Sequence, residues 1–247
     1  MQMVRNMTLH NEVIIIGGGK SILKGIDSGL KNQIKNKFTI LTNYSYRYFL
    51  GTFLVYSDRE FYVPDYAKNY VDETVIRHPD IYEDLKKLPL IVGINENGIE
   101  EFKLNNTILL DKSYRANLTG ILALKLAEKL MSEGTIYLLG FDWNRRIGLP
   151  ERDPNYNPKS NLQIHYYPKE KINHRGQGLI GYYESHNPDK EFTKYLKEGI
   201  KIYNVSPESN INCFEKISYE QMFGLLSNEV VNQDELRNQI RSELCTK

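Results

Sequence analysis

Cysteine is nearly absent from this chain. Only Cys213 and Cys245 occur in 247 residues, too few for a disulfide framework and without any paired spacing for a zinc site. Excess charge of one sign is missing too: 32 Lys plus Arg stand against 31 Asp plus Glu, a formal net charge of +1. So balanced a chain lacks the electrostatic footprint for gripping nucleic acid or an acidic membrane. No apolar run approaches the roughly 18 residues of a membrane-spanning helix, and the opening MQMVRNMTLHNE holds no apolar core of signal-peptide length. A soluble, cytoplasmic protein is expected. Internal repeats and low-complexity tracts are also lacking. What remains is ordinary globular composition, 40% hydrophobic and 26% charged, which excludes disorder for the bulk of the chain.

Apolar bursts alternate with helical periodicity. Residues 13–16 run straight into Gly17-Gly18-Gly19-Lys20-Ser21, and a helical pattern follows through Leu23, Ile26 and Leu30. Further bursts at 38–41, 52–56, 90–92, 107–110, 135–139 and 200–205 predict strands. A short aromatic helix is predicted at 44–50. A strong one is predicted at 116–131, where Leu118, Ile121, Leu122, Leu126 and Leu130 recur at helical spacing. Helices near 189–198, 219–226 and 232–244 complete the series. The alternation predicts an α/β, Rossmann-like fold: a mostly parallel sheet with helices on both faces. A single α/β nucleotide-binding domain is expected over 1–247, with C-terminal helices at about 219–244. The segment 143–185, dense in Asn, Pro, Tyr, Arg and His and without periodicity, is expected to form an inserted lid loop. In the last helix Leu236, Ile240 and Leu244 share one face, which is expected to dock on its own domain rather than build a homo-oligomer.

Open α/β sheets bind ligands beyond the carboxyl ends of their strands. Here the predicted strand ends carry the glycine run with Ser21, then Asn43, Ser57-Asp58, Asn95, Asp111 and Asp142. Small and polar groups gathered at one edge suit a nucleotide pocket, although loops are polar in any protein of this class. Three glycines let a backbone approach a phosphate closely at a helix start. Neither common motif is complete, however. A Walker loop needs glycine where Ile14 stands; the dinucleotide fingerprint needs glycine at Ile22 and an acid where Asn43 stands. Phosphate or ribose recognition outside those two motifs is left.

Among the five histidines, His10 and His78 are read as surface residues. His165, His174 and His186 fall in or just after the predicted lid, at spacings that match no compact metal motif. His186 is the preferred general acid or base, because it immediately precedes the helix predicted from Pro188. Arg145, Arg146, Arg152 and Arg175 suit a clamp for pyrophosphate or carboxylate, or a solvated loop. Tyr156, Tyr166, Tyr167, Tyr182 and Tyr183 suit donation to a leaving phosphate, stacking on a base, or plain packing of the lid.

The motifs also come in a particular order. The glycine turn with Ser21 leads, followed by Asn43 with its aromatic segment, the strand ending Ser57-Asp58, and the helix opening Thr119-Gly120. Next come Ile136-Tyr137-Leu138-Leu139-Gly140-Phe141-Asp142, a His186-Asn187-Pro188 step, and Ile202-Tyr203-Asn204-Val205-Ser206-Pro207-Glu208-Ser209 with Cys213-Phe214. In these features the chain resembles a superfamily containing bacterial lipooligosaccharide sialyltransferases and archaeal 6-hydroxymethylpterin diphosphokinase-like proteins. It resembles above all the uncharacterised phage and bacterial members, over most of 13–223.

The resemblance implies a nucleotide-dependent transferase. By likeness to the sialyltransferases, Gly17, Gly19 and Ser21, with Gly18 and Lys20 in the same turn, would approach the nucleotide phosphate. Asn43 would contact the nucleotide or donor, Thr119 and Gly120 would line the nucleotide pocket with Asp142, and His186 would match the region that supplies the catalytic base. Transfer from a nucleotide-activated donor to a small-molecule or glycan acceptor would then need no metal or other cofactor. Lys20 stands where the relatives usually have Pro, and Asp58 where the sialyltransferases have Asn. The diphosphokinase-like branch keeps an Asp after the third strand. By likeness to that branch Asp58 would be catalytic and, with Asp142, would hold Mg on a triphosphate, moving pyrophosphate from ATP to a hydroxymethylpterin-like molecule. A third expectation is a non-catalytic nucleotide-binding or assembly protein.

Overall fold

Runs of β-branched and aliphatic residues become strands here because the sheet is covered on both faces. In the computed structural model, which describes residues 10–57, 79–94, 104–116, 118–143, 187–195 and 197–245, β1 (Glu12–Ile16) is buried along its whole length. So are β2 (Thr39–Thr42), β3 (Phe53–Val55) and β4 (Ile91–Ile94). β5 (Thr107–Leu110), β6 (Gly134–Leu139), β7 (Ile200–Asn204) and the two-residue β8 (Glu215–Lys216) complete one sheet. Its order is β5-β4-β3-β2-β1-β6-β7-β8, and every neighbouring pair is parallel. The fold is α/β and Rossmann-like.

The helices among the described residues are α1 (Ser21–Asp27), α2 (Leu30–Gln33), α3 (Pro79–Lys87), α4 (Thr119–Leu130), α5 (Pro188–Phe192), α6 (Tyr219–Leu225) and α7 (Gln233–Cys245). Successive side chains of a strand face opposite ways, and β1 sorts them into two cores. Val13 and Ile15 pack with α4, with Phe192 of α5, and with Leu236 and Ile240 of α7. Ile14 and Ile16 pack with Ile22 of α1, Leu30 of α2, Leu85 of α3 and Met222 of α6. α4 buries Thr119, Ile121, Leu122, Ala123, Leu124, Leu126, Ala127 and Leu130 and turns Lys125, Glu128 and Lys129 outward, as befits a helix laid on the sheet with one polar edge. Each fully buried Leu or Ile there contributes roughly 1.5–3 kcal/mol.

Three local expectations change. The helical pattern at 21–30 is broken in two, because Ser28 ends α1 and Gly29, at φ +87°, turns the chain before α2. The helix expected at 44–50 is a 3-10 turn, Asn43–Arg47. The one expected at 189–198 is α5 followed by a 3-10 turn, Thr193–Tyr195. α7 docks on its own domain: Leu236 and Ile240 are buried, and Arg237 Nε donates to Thr52 O at 2.9 Å. Among the described residues, no helix is long and apolar enough to cross a membrane.

The chain steps outward from β1 to β5, then crosses back to lay β6 on the opposite side of β1. That reversal makes the carboxyl ends of β1 and β6 the topological switch point, where sheets of this kind bind ligands.

Candidate functional site

The switch point is built from two turns zipped together. Beyond β1, the Gly17 N–H donates to Leu139 O at 2.7 Å and the Gly19 N–H to Gly140 O at 2.8 Å. A Cβ on Gly17 would lie 2.8 Å from Gly140 O; one on Gly19 would lie 2.7 Å from the same oxygen and 2.5 Å from Asp142 Oδ2. Both glycines are therefore demanded by turn-on-turn packing, whatever ligand comes. α1 then begins at Ser21, whose N–H donates to Asp142 Oδ2 at 2.9 Å and whose hydroxyl donates to Asp142 Oδ1 at 2.5 Å. A residue 121 positions away thus caps the first turn of α1. A carboxylate is at home there, against the positive end of the helix dipole.

Asp142 is held in turn by the loop after β7. Asn204 Nδ2 donates to Phe141 O at 3.1 Å, Ser209 Oγ donates to the same oxygen at 2.7 Å, and the Asn210 N–H donates to Asp142 O at 2.9 Å. Asn210 Nδ2 adds a bond to Trp143 O at 2.8 Å. Three consecutive carbonyls are bound by one loop, and Asn204 and Ser209 are buried. The Asn204-to-Ser209 motif is thus a brace for the Asp142 turn, a role its spacing does not reveal. Trp143 belongs with this core rather than with a lid: it is buried and meets Phe192 edge-on, ring centroids 6.0 Å apart.

Tyr219 is a second residue that the motifs do not single out. Its ring fills the space that a Cβ on Gly25 would need, 2.4 Å from Tyr219 Cε1. It is 5% exposed, and its hydroxyl has no hydrogen-bond partner among the described residues. Burial pushes that hydroxyl's pKa well up and the Asp142 charge adds to the rise, with the Ser21 hydroxyl pulling the other way. Tyr219 is a neutral phenol beside Ser21 and Asp142.

The other predicted residues fall around this core. Asn43 follows β2 directly in the left-handed region at φ +48°, where asparagine is one of the few tolerated residues. Its Oδ1 is buried with no hydrogen-bond partner among the described residues, an uncommon state that calls for a donor. Thr42 Oγ1 donates to Ile16 O at 2.8 Å, tying this turn to the end of β1. Thr119 opens α4 and shares a 2.8 Å hydrogen bond with Ser57, just beyond β3. A Cβ on Gly120 would lie 2.8 Å from Phe141 Cε1, so glycine there lets α4 approach the Asp142 turn. Asp111 sits apart, beyond the edge strand β5. It accepts the Ser113 N–H at 2.8 Å, which holds its carboxyl below the usual range and marks it as a cap.

The structure thus gathers Gly17, Gly18, Gly19, Lys20, Ser21 and Asp142 at one switch point, with Asn43 on the next strand and Thr119 and Gly120 against Phe141. Asp58, Asn95, His78, His165, His174 and His186 lie outside the described residues, as do the lid segment beyond Trp143 with its arginines and tyrosines. Both expected catalytic residues are among these. Among the described residues no group of three His, Cys, Asp or Glu side chains is placed to hold a metal ion. No family model, curated protein or solved structure matches the chain.

Proposed function

We propose that this chain is a nucleotide-dependent transferase, glycosyltransferase-like, that moves a group from a nucleotide-activated donor to a hydroxyl acceptor. The observation that supports nucleotide binding most directly is Asn43. Its orphaned Oδ1 belongs to the turn directly after β2, one strand from the β1–β6 switch point near which sheets of this topology take their ligands. A base amino group or a sugar hydroxyl would supply the missing donor. The transfer itself rests on the motif order. A base takes the acceptor hydroxyl proton as that oxygen bonds to the donor carbon, while the carbon's bond to the nucleotide oxygen breaks and nearby donors stabilise the leaving group. His186 is the base in this reading.

A thermal-shift panel of CMP, CDP, UDP, GDP, AMP and ATP, each with and without magnesium, tests it. A ligand at a hundred times its Kd stabilises the folded state by about 2.7 kcal/mol, or roughly 5–11 °C in a chain of this size. Metal-independent stabilisation by a mono- or diphosphate, weakened in Asn43→Ala, supports the proposal. A response to ATP only with magnesium replaces it with pyrophosphate transfer to a hydroxymethylpterin-like acceptor, with Asp58 and Asp142 at the metal. Silence across the panel refutes nucleotide binding.

A further inference from the structure

We infer that the glycine turn and Asp142 face the sugar of the nucleotide rather than its phosphate, with the Asp142 carboxylate accepting hydrogen bonds from the ribose hydroxyls. The inference rests on the nucleotide-binding reading above and adds the ligand's orientation and the preference for ribose.

A phosphate cradle works through backbone N–H groups that point at the anion and are otherwise unsatisfied. In this turn the Gly17 and Gly19 N–H groups are committed to Leu139 O and Gly140 O. The Ser21 N–H and hydroxyl are committed to Asp142. An arriving phosphate would have to break those bonds and would meet a carboxylate already in its place.

Charge argues the same way. Lys24, one turn into α1, is paired with Glu208 at 2.6 Å, and Lys20 is offset by Asp142 in formal charge. Among the described residues the corner therefore carries no net positive charge to attract a dianion, and the Asp142 charge is felt as far as the buried Tyr219 hydroxyl.

The same carboxylate is well suited to a diol. An ionised carboxyl group has about four acceptor positions, and Ser21 uses one on each oxygen. One position per oxygen is left for two neighbouring hydroxyls, and Asp142 is only partly buried. Its backbone is fixed by Asn210, and the preceding carbonyl by Asn204 and Ser209. The acceptors are thus pre-positioned, which lowers the ordering cost of binding.

Calorimetric titration of the full chain separates the orientations. The probes are adenosine, cytidine, guanosine and uridine, their 5′-monophosphates, and the 2′-deoxy and 3′-deoxy forms of each. The unmodified chain is expected to favour ribo over both deoxy forms by about tenfold or more, with and without the phosphate. Asp142→Asn is expected to weaken ribonucleosides and ribonucleotides by the same factor and to erase the ribose preference. If the phosphate instead lay at the turn, Asp142→Asn would remove a repulsion and tighten the monophosphates relative to the nucleosides, overturning the inference. Equal binding of ribo and deoxy forms by the unmodified chain overturns it as well, without relying on any variant to fold. Either result leaves nucleotide binding intact, whereas no binding by any probe refutes both.

Discussion

Replacing Gly19 with alanine probes the close approach of the glycine turn to the Asp142 turn. The added methyl would sit 2.5 Å from Asp142 Oδ2 and 2.7 Å from Gly140 O. The carboxylate is on a side chain and swings away. The Gly140 carbonyl is backbone, tied to the Gly19 N–H at 2.8 Å, and yields only if the two turns part. Overpacking of this kind costs about 1–3 kcal/mol. Displacing Asp142 also loses hydrogen bonds from Ser21 to a charged acceptor, each contributing about 1.5–3 kcal/mol. The two losses share one displacement and do not simply add, so a net cost of about 3 kcal/mol is expected. For a chain of this length that lowers Tm by roughly 6–12 °C. Urea unfolding followed by circular dichroism reads the free energy, and a thermal scan reads Tm. The double variant Gly19→Ala/Asp142→Ala is expected to be less destabilised than the sum of its singles by about 1 kcal/mol, since the second change removes one of the two clashes. A Gly19→Ala protein that melts within about 2 °C of the parent refutes the packing account of this glycine.

Two further substitutions test groups that burial leaves in awkward states. Tyr219→Phe removes a buried hydroxyl with no hydrogen-bond partner among the described residues, so stability is expected to hold or to rise by up to about 1 kcal/mol. A loss of about 1 kcal/mol or more in urea unfolding would mean that a bound water satisfies that hydroxyl. Glu128, half-buried on α4, has its carboxyl pushed up to about 7, chiefly by burial, with Lys197 pulling it back. Its folded pKa lies above the unfolded one, so the stability it contributes is present below about 4.5 and fades as pH rises through about 7. Glu128→Gln mimics the protonated form. Its advantage over the parent is expected to grow from near zero at acid pH to on the order of 1 kcal/mol at pH 8, after allowing for solvent screening. An advantage that does not change across that range would exclude the titration of Glu128 as its source.

How much of this was legible in the residues differs between fold and site. The strands of a doubly covered parallel sheet are marked by unbroken apolar runs, and 13–16, 38–41 and 135–139 fall close to β1, β2 and β6. α4 was legible for a different reason, its apolar residues recurring at helical spacing over three turns. β8 is two residues long and carries no period to read. The break between α1 and α2 depends on one glycine whose positive φ no periodicity announces. At the site, the polar strand ends could be named in advance. Their partners could not, because Asp142 meets Ser21 across 121 residues and Asn204 meets Phe141 across 63.

By itself, then, the sequence determined most of the buried strands, the long helix α4, and many of the small or polar residues that follow the strands, but not α3 or β8. Those properties come from local side-chain chemistry and from the periods of helix and strand. Only the tertiary structure decided that β6 lies beside β1, and so that two distant turns meet at one switch point. It alone showed that Gly17, Gly19 and Ser21 spend their donors on Leu139, Gly140 and Asp142 rather than keeping them for an anion. Strand order and the satisfaction of buried polar groups are set by contacts between residues far apart in the chain, and no local pattern encodes which distant partner a hydrogen-bonding group will find.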